Sequence, residues 1–485
     1  MSLIDIIVFS LVLAAFSRKI ANATQNRINF SKCDVGGFTC STNILNNTTT
    51  LLLSFSCPAK DVTIYVNQFK SPYNMESLEI EDCENVTVSL KSADRRYYFE
   101  KLTVKNVGVL TVLAHRLWQT NAPKLVRMEN VGYIRTIPSF AFGQSATDDG
   151  TATGTTAAAI AGSTSGLRRV FLRNVTVDTV ESNAFRLHDA CANFTVQNSR
   201  INRIQTSGID VVLDKGGEFL VENTRIDVFE HLALRITGAN AEFRNNKLGE
   251  MWSSAVNGTI ENFKFSHNAV ATLEAGAVAI LCTRARLSHN RFEYVRSGGF
   301  GKISPGLLVE SNRNFGQLRF VYEFRGNAIA AMDAGGLNPD FEAYGNVATD
   351  VLVKKNALLC SCFNIGWMFA ETGHGFDSQR LRPFYDLLTD AGNENVCLSA
   401  CNFPLSKAAE IFKAGNCPAS DAPDAICSKT TNPIPIATTP KTIYMSNFSH
   451  KTRKNAAIER HPPTSIPLLL PFIISLTAYY NVHRV

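Results

Sequence analysis

The sequence predicts a solenoid in which short parallel β-strands stack coil on coil. Three observations predict it. A unit of alternating apolar and polar residues recurs along the chain at a nearly fixed period. The 485 residues are too many for one ordinary compact core. The 12 cysteines gather mainly toward the two ends of the repeated stretch, where an array needs closing.

The repeat is clearest as Phe194-x-Val196-x-x-Ser199-x-Ile201-x-x-Ile204. It returns with Thr224, Asn246, Asn268, Asn290 and Asn327 at the Ser199 position, mostly 22 to 25 residues apart. Weaker copies start upstream at Leu78, Leu102, Leu125 and Val170. Each copy continues with a small residue and then a large apolar one: Ala184-Phe185, Gly208-Ile209, Ala233-Leu234, Ala255-Val256 and Ala277-Val278. A small residue beside a large one at fixed phase suggests a tight turn that sends one side chain into the core. Two long gaps coincide with insertions, the Thr/Ala/Gly/Ser-rich stretch 144–166 and residues 302–316. The repeat survives both, so the array over 71–355 reads as one solenoid.

This pattern resembles the extracellular leucine-rich repeat family. The resemblance implies a horseshoe with one strand per coil, an asparagine ladder at the turn after the strand, and disulfide caps. The first half departs from the family, since Cys83, Val107, Val131 and Val175 stand where the ladder asparagine belongs. The late cluster Cys360, Cys362, Cys397, Cys401, Cys417 and Cys427, with Asn356, Leu359 and Trp367, is similar to the family's cysteine-rich carboxy-terminal cap, here 356–428. Cys33, Cys40, Cys57 and Cys83 form the early cluster, and 24–70 would be the amino-terminal cap. The alternative solenoid is the right-handed parallel β-helix, which also stacks coils of this length. Stretches such as 208–213 and 277–281 alternate like second strands within one coil.

All ten clustered cysteines read as disulfide-forming, without an assigned pairing. A zinc site fits poorly, because Cys360-x-Cys362 has no histidine at ligand spacing. Cys191 and Cys282 share one phase but lie four coils apart, about 19 Å at the strand spacing. A disulfide spans at most about 7 Å, so these two are expected to be buried thiols.

The ends place the array outside the cell. The apolar run 4–16 and the small residues Ala21 and Ala23 read as a signal peptide, 1–23. Sequons stand at Asn29, Asn46, Asn47, Asn85, Asn174, Asn193, Asn257 and Asn447. A Thr/Pro-rich stalk follows over 429–457, then a tail, 458–485, with a polar spacer and an apolar run. Small residues, spacer and apolar end match a GPI-anchor signal with attachment at Asn455. A transmembrane helix is the alternative, although the run is short and holds Pro467 and Pro471.

The charge excludes one class of partner and suggests another. A net charge of +6 is small for this length, and much of it sits in 441–460, so there is no nucleic-acid footprint. Strand-exposed positions supply Arg244, Lys264, His267, Arg286, His289 and Arg325, a basic stripe suited to an acidic protein surface or a sulfated glycan. His267 and His289 would make binding pH-sensitive. A glycan on Asn174 would obstruct the amino-terminal half of the same face. Glycoside hydrolysis needs two facing carboxylates, and this phase offers only Glu222. No nucleophile triad, phosphate loop, metal site or cofactor motif is evident. The sequence thus reads as a non-catalytic, membrane-tethered recognition or adhesion protein. The alternative is a carbohydrate-active β-helix enzyme, a polysaccharide lyase or a glycosidase.

Overall fold

The computed structural model describes residues 38–45, 48–57, 61–65, 74–89, 99–113, 123–143, 168–305, 319–333, 335–337, 348–365, 378–398 and 401–413. Several sequence expectations lie outside these residues. They are the segment 1–23, the insertion 144–166, the stretches 429–457 and 458–485 with Asn455, the sequons Asn29, Asn46, Asn47 and Asn447, and Cys33, Cys417 and Cys427. The side chains of Cys40 and Cys362 are also outside.

The protein is a parallel β-solenoid with little helix, and two disulfides join described residues. Its 23 described strands form one continuous sheet. Phe38–Leu45 pairs antiparallel with Thr48–Ser56, and every later strand pairing is parallel, each coil lying on the next. A representative coil has three straight runs. Residues 278–282 stack on 256–260, 284–288 on 262–266, and 291–295 on 269–273. Each run alternates inward apolar and outward polar side chains, as the two-residue period of a strand requires. Val278, Ile280, Cys282, Ala285, Leu287, Phe292 and Val295 of this coil are all buried.

Stacking equivalent positions turns the core into columns. Phe194, Phe219, Phe243, Phe265 and Phe292 pass ring contacts from coil to coil at centroid distances of 5.2–6.4 Å, and Phe185 meets Phe194 within one coil at 5.3 Å. Burying each ring contributes about 1.5–3 kcal/mol. The small-large pairs close the coils. Ala255 donates its N–H to the Trp252 carbonyl at 2.9 Å and Ala277 donates to Glu274 at 3.0 Å, each closing a four-residue turn. The large partner then enters the core, as Val256 and Val278 do.

A polar ladder runs through the interior at the corner between the second and third runs. Its rungs are Ser199, Thr224, Asn246, Asn268, Asn290, Asn327, Asn356 and Asn395. Asn268 is typical. Its Oδ1 accepts from the Asn246 backbone N–H at 3.0 Å, and its Nδ2 donates to the Phe243 carbonyl at 2.9 Å and to Asn290 Oδ1 at 3.1 Å. The strand is interrupted at this corner, and the amide side chain takes both orphaned backbone groups. The ladder continues past residue 356 to Asn395, across the helix Ser378–Thr389.

The two ends of the array are closed differently. Cys57–Cys83 ties the first strands together, with the Cα atoms 5.1 Å apart. Cys360–Cys397 joins two neighbouring coils, with Cα atoms 5.3 Å apart, and Cys401 is disulfide-bonded too. At the downstream end Phe384, on the helix Ser378–Thr389, meets Tyr322 and Phe324 edge-on. Leu405, Ala408 and Phe412 of the helix Leu405–Lys413 are buried. These contacts cover a last coil whose core would otherwise face water. Cys191 and Cys282 are free and buried, and burial pushes both thiols up to about 12. They are inert core residues.

Candidate functional site

The second runs stack into a face of outward side chains in three adjacent rows. One row reads Glu242, Lys264, Arg286, Glu323; the next reads Glu222, Arg244, Ser266, Ser288, Arg325, Lys354. The third is the corner itself, where Asn245, His267 and His289 take positive φ and Gly326 and Lys355 follow. All six residues of the expected stripe lie on this face.

The stripe is not uniformly basic. Arg244 Nε lies 2.7 Å from Glu222, and its Nη1 is 3.5 Å from Glu242. Lys264 is 3.6 Å from Glu242, and Arg286 is 3.4 Å from Glu323. The Arg244 hydrogen bond holds the Glu222 carboxyl below its ordinary range. Glu242 and Glu323 escape the sequence reading of acids, which covers the two positions after the second apolar residue, such as Arg244 and Asn245. Lys264 and Arg286 occupy the earlier x of the repeat, and so do these two glutamates.

Unpaired cations collect at the downstream end. Among the described residues Arg325 and its neighbour Lys354 form no ion pair. Ser266 and Ser288 precede them in the row, and their short side chains leave a low floor. His267 and His289 flank that floor, their rings stacked with centroids 5.0 Å apart and planes 10° apart. Gly326 makes room for the second ring, since a Cβ there would sit 2.9 Å from His289 Cδ2. Burial, then His267 and Arg325, lowers the His289 pKa. The result is a cationic surface patch with two hydroxyls, suited to a carboxylate or sulfate.

A concavity lies on the face of the first runs. It has a volume of about 560 Å³ and is lined by His188, Asp210, Arg235, Asn257, Leu281 and Lys302, among others. Asp210, Arg235, Asn257, Ala279 and Lys302 are successive members of one row. Asp210 is buried, with His188 Nε2 at 2.9 Å and Arg235 Nη1 at 3.5 Å. The sequence signal for Asp210, Arg235, Asn257 and Ala279 is the residue after each small-large pair, a phase outside the exposed positions of the repeat.

Among the described residues no group of three or more His, Cys, Asp or Glu side chains is arranged to hold a metal. No described helix is long and apolar enough to cross a membrane. The sequons at Asn85, Asn174, Asn193 and Asn257 fall on strands. Asn174 is exposed at a corner of positive φ, and its Nδ2 donates to Asn130 Oδ1 at 3.0 Å. Comparison with protein-family models, curated proteins and solved structures returned no match.

Proposed function

We propose that the chain is an extracellular, non-catalytic recognition protein whose downstream coils bind an acidic protein surface or a sulfated glycan. The observation that carries this reading is the patch formed by Arg325, Lys354, Ser266, Ser288 and the stacked histidines, where Arg325 and Lys354 stand without acidic partners among the described residues. The stripe upstream is charge-compensated, so an acidic partner gains most at this end. Two disulfides suit an oxidising compartment. Presentation on a lipid anchor at Asn455 belongs to the same proposal.

We also infer a finer class of solenoid. In a horseshoe one strand per coil lines the inner face. Here all three runs of the representative coil pair with the coil before. That supports the parallel β-helix, the sequence's alternative, over the leucine-rich-repeat horseshoe. The enzyme reading draws on the buried Asp210, yet this is the one carboxylate lining the groove among the described residues. Glycoside hydrolysis requires a second carboxyl held protonated. On the other face Glu222 is held ionised by Arg244.

The test starts with phospholipase release of the protein from cells, followed by binding of the soluble form to immobilised sulfated glycan and acidic peptide. Arg325→Ala is expected to weaken retention about tenfold, the scale of one charge-assisted hydrogen bond, whereas Arg244→Ala changes it little. Equal effects of the two substitutions would overturn the assigned site. Release of reducing ends or unsaturated uronates from a polysaccharide panel would favour the enzyme reading instead. Retention of the protein on cells after phospholipase would remove the lipid anchor.

A further inference from the structure

The groove on the first-run face contains one of the protein's own sequons. Asn257 stands between Arg235 and Ala279 in its row, and both Asn257 and Thr259 line the cavity. Asn257 is half-buried, and its side chain makes no hydrogen bond among the described residues. No hydrogen bond from a described residue holds its amide nitrogen, unlike that of Asn174, which donates to Asn130.

The shape of the groove follows from the residues around this sequon. Gly258 takes a φ of +149°, and a Cβ there would lie 1.8 Å from the Ile236 carbonyl oxygen. The strand is pressed onto the coil before it, and no side chain other than hydrogen fits at the middle of the sequon. Ala279, next in the row, ends in a methyl group and leaves the space beside Asn257 unfilled. Beyond it Leu281 is 45% exposed, and Lys302 and Ser304 close the far side.

We infer that this groove is the seat of an N-linked glycan on Asn257, which covers Leu281 and closes the groove to other ligands. The inference rests on the reading that the chain passes through the secretory pathway. A pyranose ring presents a C–H face and a rim of hydroxyls, and the groove offers a match for each. Leu281 supplies the apolar contact. Thr237, Ser304, the Asp210 carboxylate and the Lys302 ammonium supply hydrogen-bonding groups. The volume falls in the range that encloses a drug-sized molecule, enough for the first sugars of the chain. An attached sugar loses less freedom on docking than a free one, because the covalent link already holds it at the site.

The experiment uses the full chain secreted from eukaryotic cells. Glycopeptide mass spectrometry reads occupancy at each sequon, and acylation by an amine reagent reads the accessibility of Lys302, with Lys354 on the other face as control. Asn257 is expected to be occupied, and Lys302 to become several-fold more reactive in Asn257→Gln, with Lys354 unchanged. Thr259→Ser, which keeps the sequon, retains the protection. Trimming of the whole glycan from the folded wild-type protein by a peptide N-glycosidase, which leaves aspartate at 257, gives the same comparison without a substitution during folding. Asn257 bare while Asn85, Asn174 or Asn193 carries sugar would overturn the inference and leave the secretory reading standing. All sequons bare would overturn both. An occupied Asn257 with Lys302 equally reactive before and after trimming would show a glycan that points away from the groove, and would overturn the seat.

Discussion

The upstream coils place asparagine on the surface of the corner after the second run and an apolar residue inside it, whereas the downstream coils bury asparagine there. Upstream, Asp82, Asn106, Asn130 and Asn174 take positive φ and link side chain to side chain at 2.9–3.0 Å. The inward positions behind them are Cys83, Val107, Val131 and Val175, all buried and in register. The strands Phe99–Leu113 and Leu125–Ile137 run unbroken through this corner, so backbone pairs with backbone. Downstream the strand stops, as between Val278–Ser288 and Arg291–Val295, and buried Asn290 bonds the groups left over. One corner thus has two solutions. A continuous ladder needs no polar rung, and a broken ladder needs one at every coil.

The largest effects should come from exchanging the two solutions. Asn268→Leu leaves the Asn246 N–H and the Phe243 carbonyl buried without partners, at about 1–3 kcal/mol each. Chemical denaturation is therefore expected to show a loss of several kcal/mol. Val131→Asn installs the downstream rung between Val107 and Val175, which offer its amide no side-chain partner. It should destabilise by a comparable amount, although the same residue supports the fold downstream. A neutral Val131→Asn would show that the upstream corner can also accept an amide, and the contrast would fail.

A smaller effect tests the length of the corner. Two residues separate Val107 from the next buried residue, Leu110, whereas one separates Asn246 from Leu248. The additional upstream residue is Gly108, then Gly132, and the coils touch there. A Cβ on Gly132 would lie 2.6 Å from the Gly108 carbonyl oxygen. Gly132→Ala should cost about 1–3 kcal/mol, the scale of local backbone strain, while Lys247→Ala at the shorter corner costs a few tenths in the same thermal melts. Asn106→Ala should cost about 1 kcal/mol, because alanine tolerates its positive φ poorly. Asn106→Gly should recover most of that, with only the exposed side-chain bonds lost. If Gly is no better than Ala, the bonds matter more than the backbone angle.

The same contrast explains what could be read from the sequence. Downstream, Asn246, Asn268 and Asn290 recur every 22 residues at one phase, and the ladder they form is the ladder that was expected. Upstream the asparagines Asn106 and Asn130 hold the surface position that Asn245 holds downstream, and the rung position itself is apolar, so a template built on the downstream phase met Val107 and Val131. Asn395 was invisible for another reason: a helix separates it from Asn356 by 39 residues, and no fixed period reaches across. The basic stripe was legible as a set of positions, since all six residues share a face. Its neutralisation was not, because Glu242 and Glu323 reach Lys264 and Arg286 across coils, along a row one x earlier than Arg244 and Arg325. The groove depends on how far the strand sinks at Gly258, a distance between coils that no linear pattern carries.

The smallest expected effect concerns the corner where the downstream coils replace asparagine by histidine. His267 and His289 hold the surface position that Asn106 and Asn130 hold upstream, but their rings stack instead of bonding amide to amide. Burial is the first cause of the lowered His289 pKa, followed by repulsion from His267 and Arg325. Folding therefore releases protons from His289 in acid, so its contribution to stability is present above the ordinary value of 6.5 and is lost as pH falls through the folded value. An NMR titration of the ring protons should find His289 below 6.5. His267→Ala should raise it only part of the way back, because the larger cause, burial, remains. A full return to the ordinary value would make the neighbouring ring the main cause. No change at all would mean that the stacked pair is electrostatically silent. Since protonation adds charge beside Arg325 and Lys354, an acidic ligand should bind more tightly below the His289 pKa, and the ligand should raise that pKa in return.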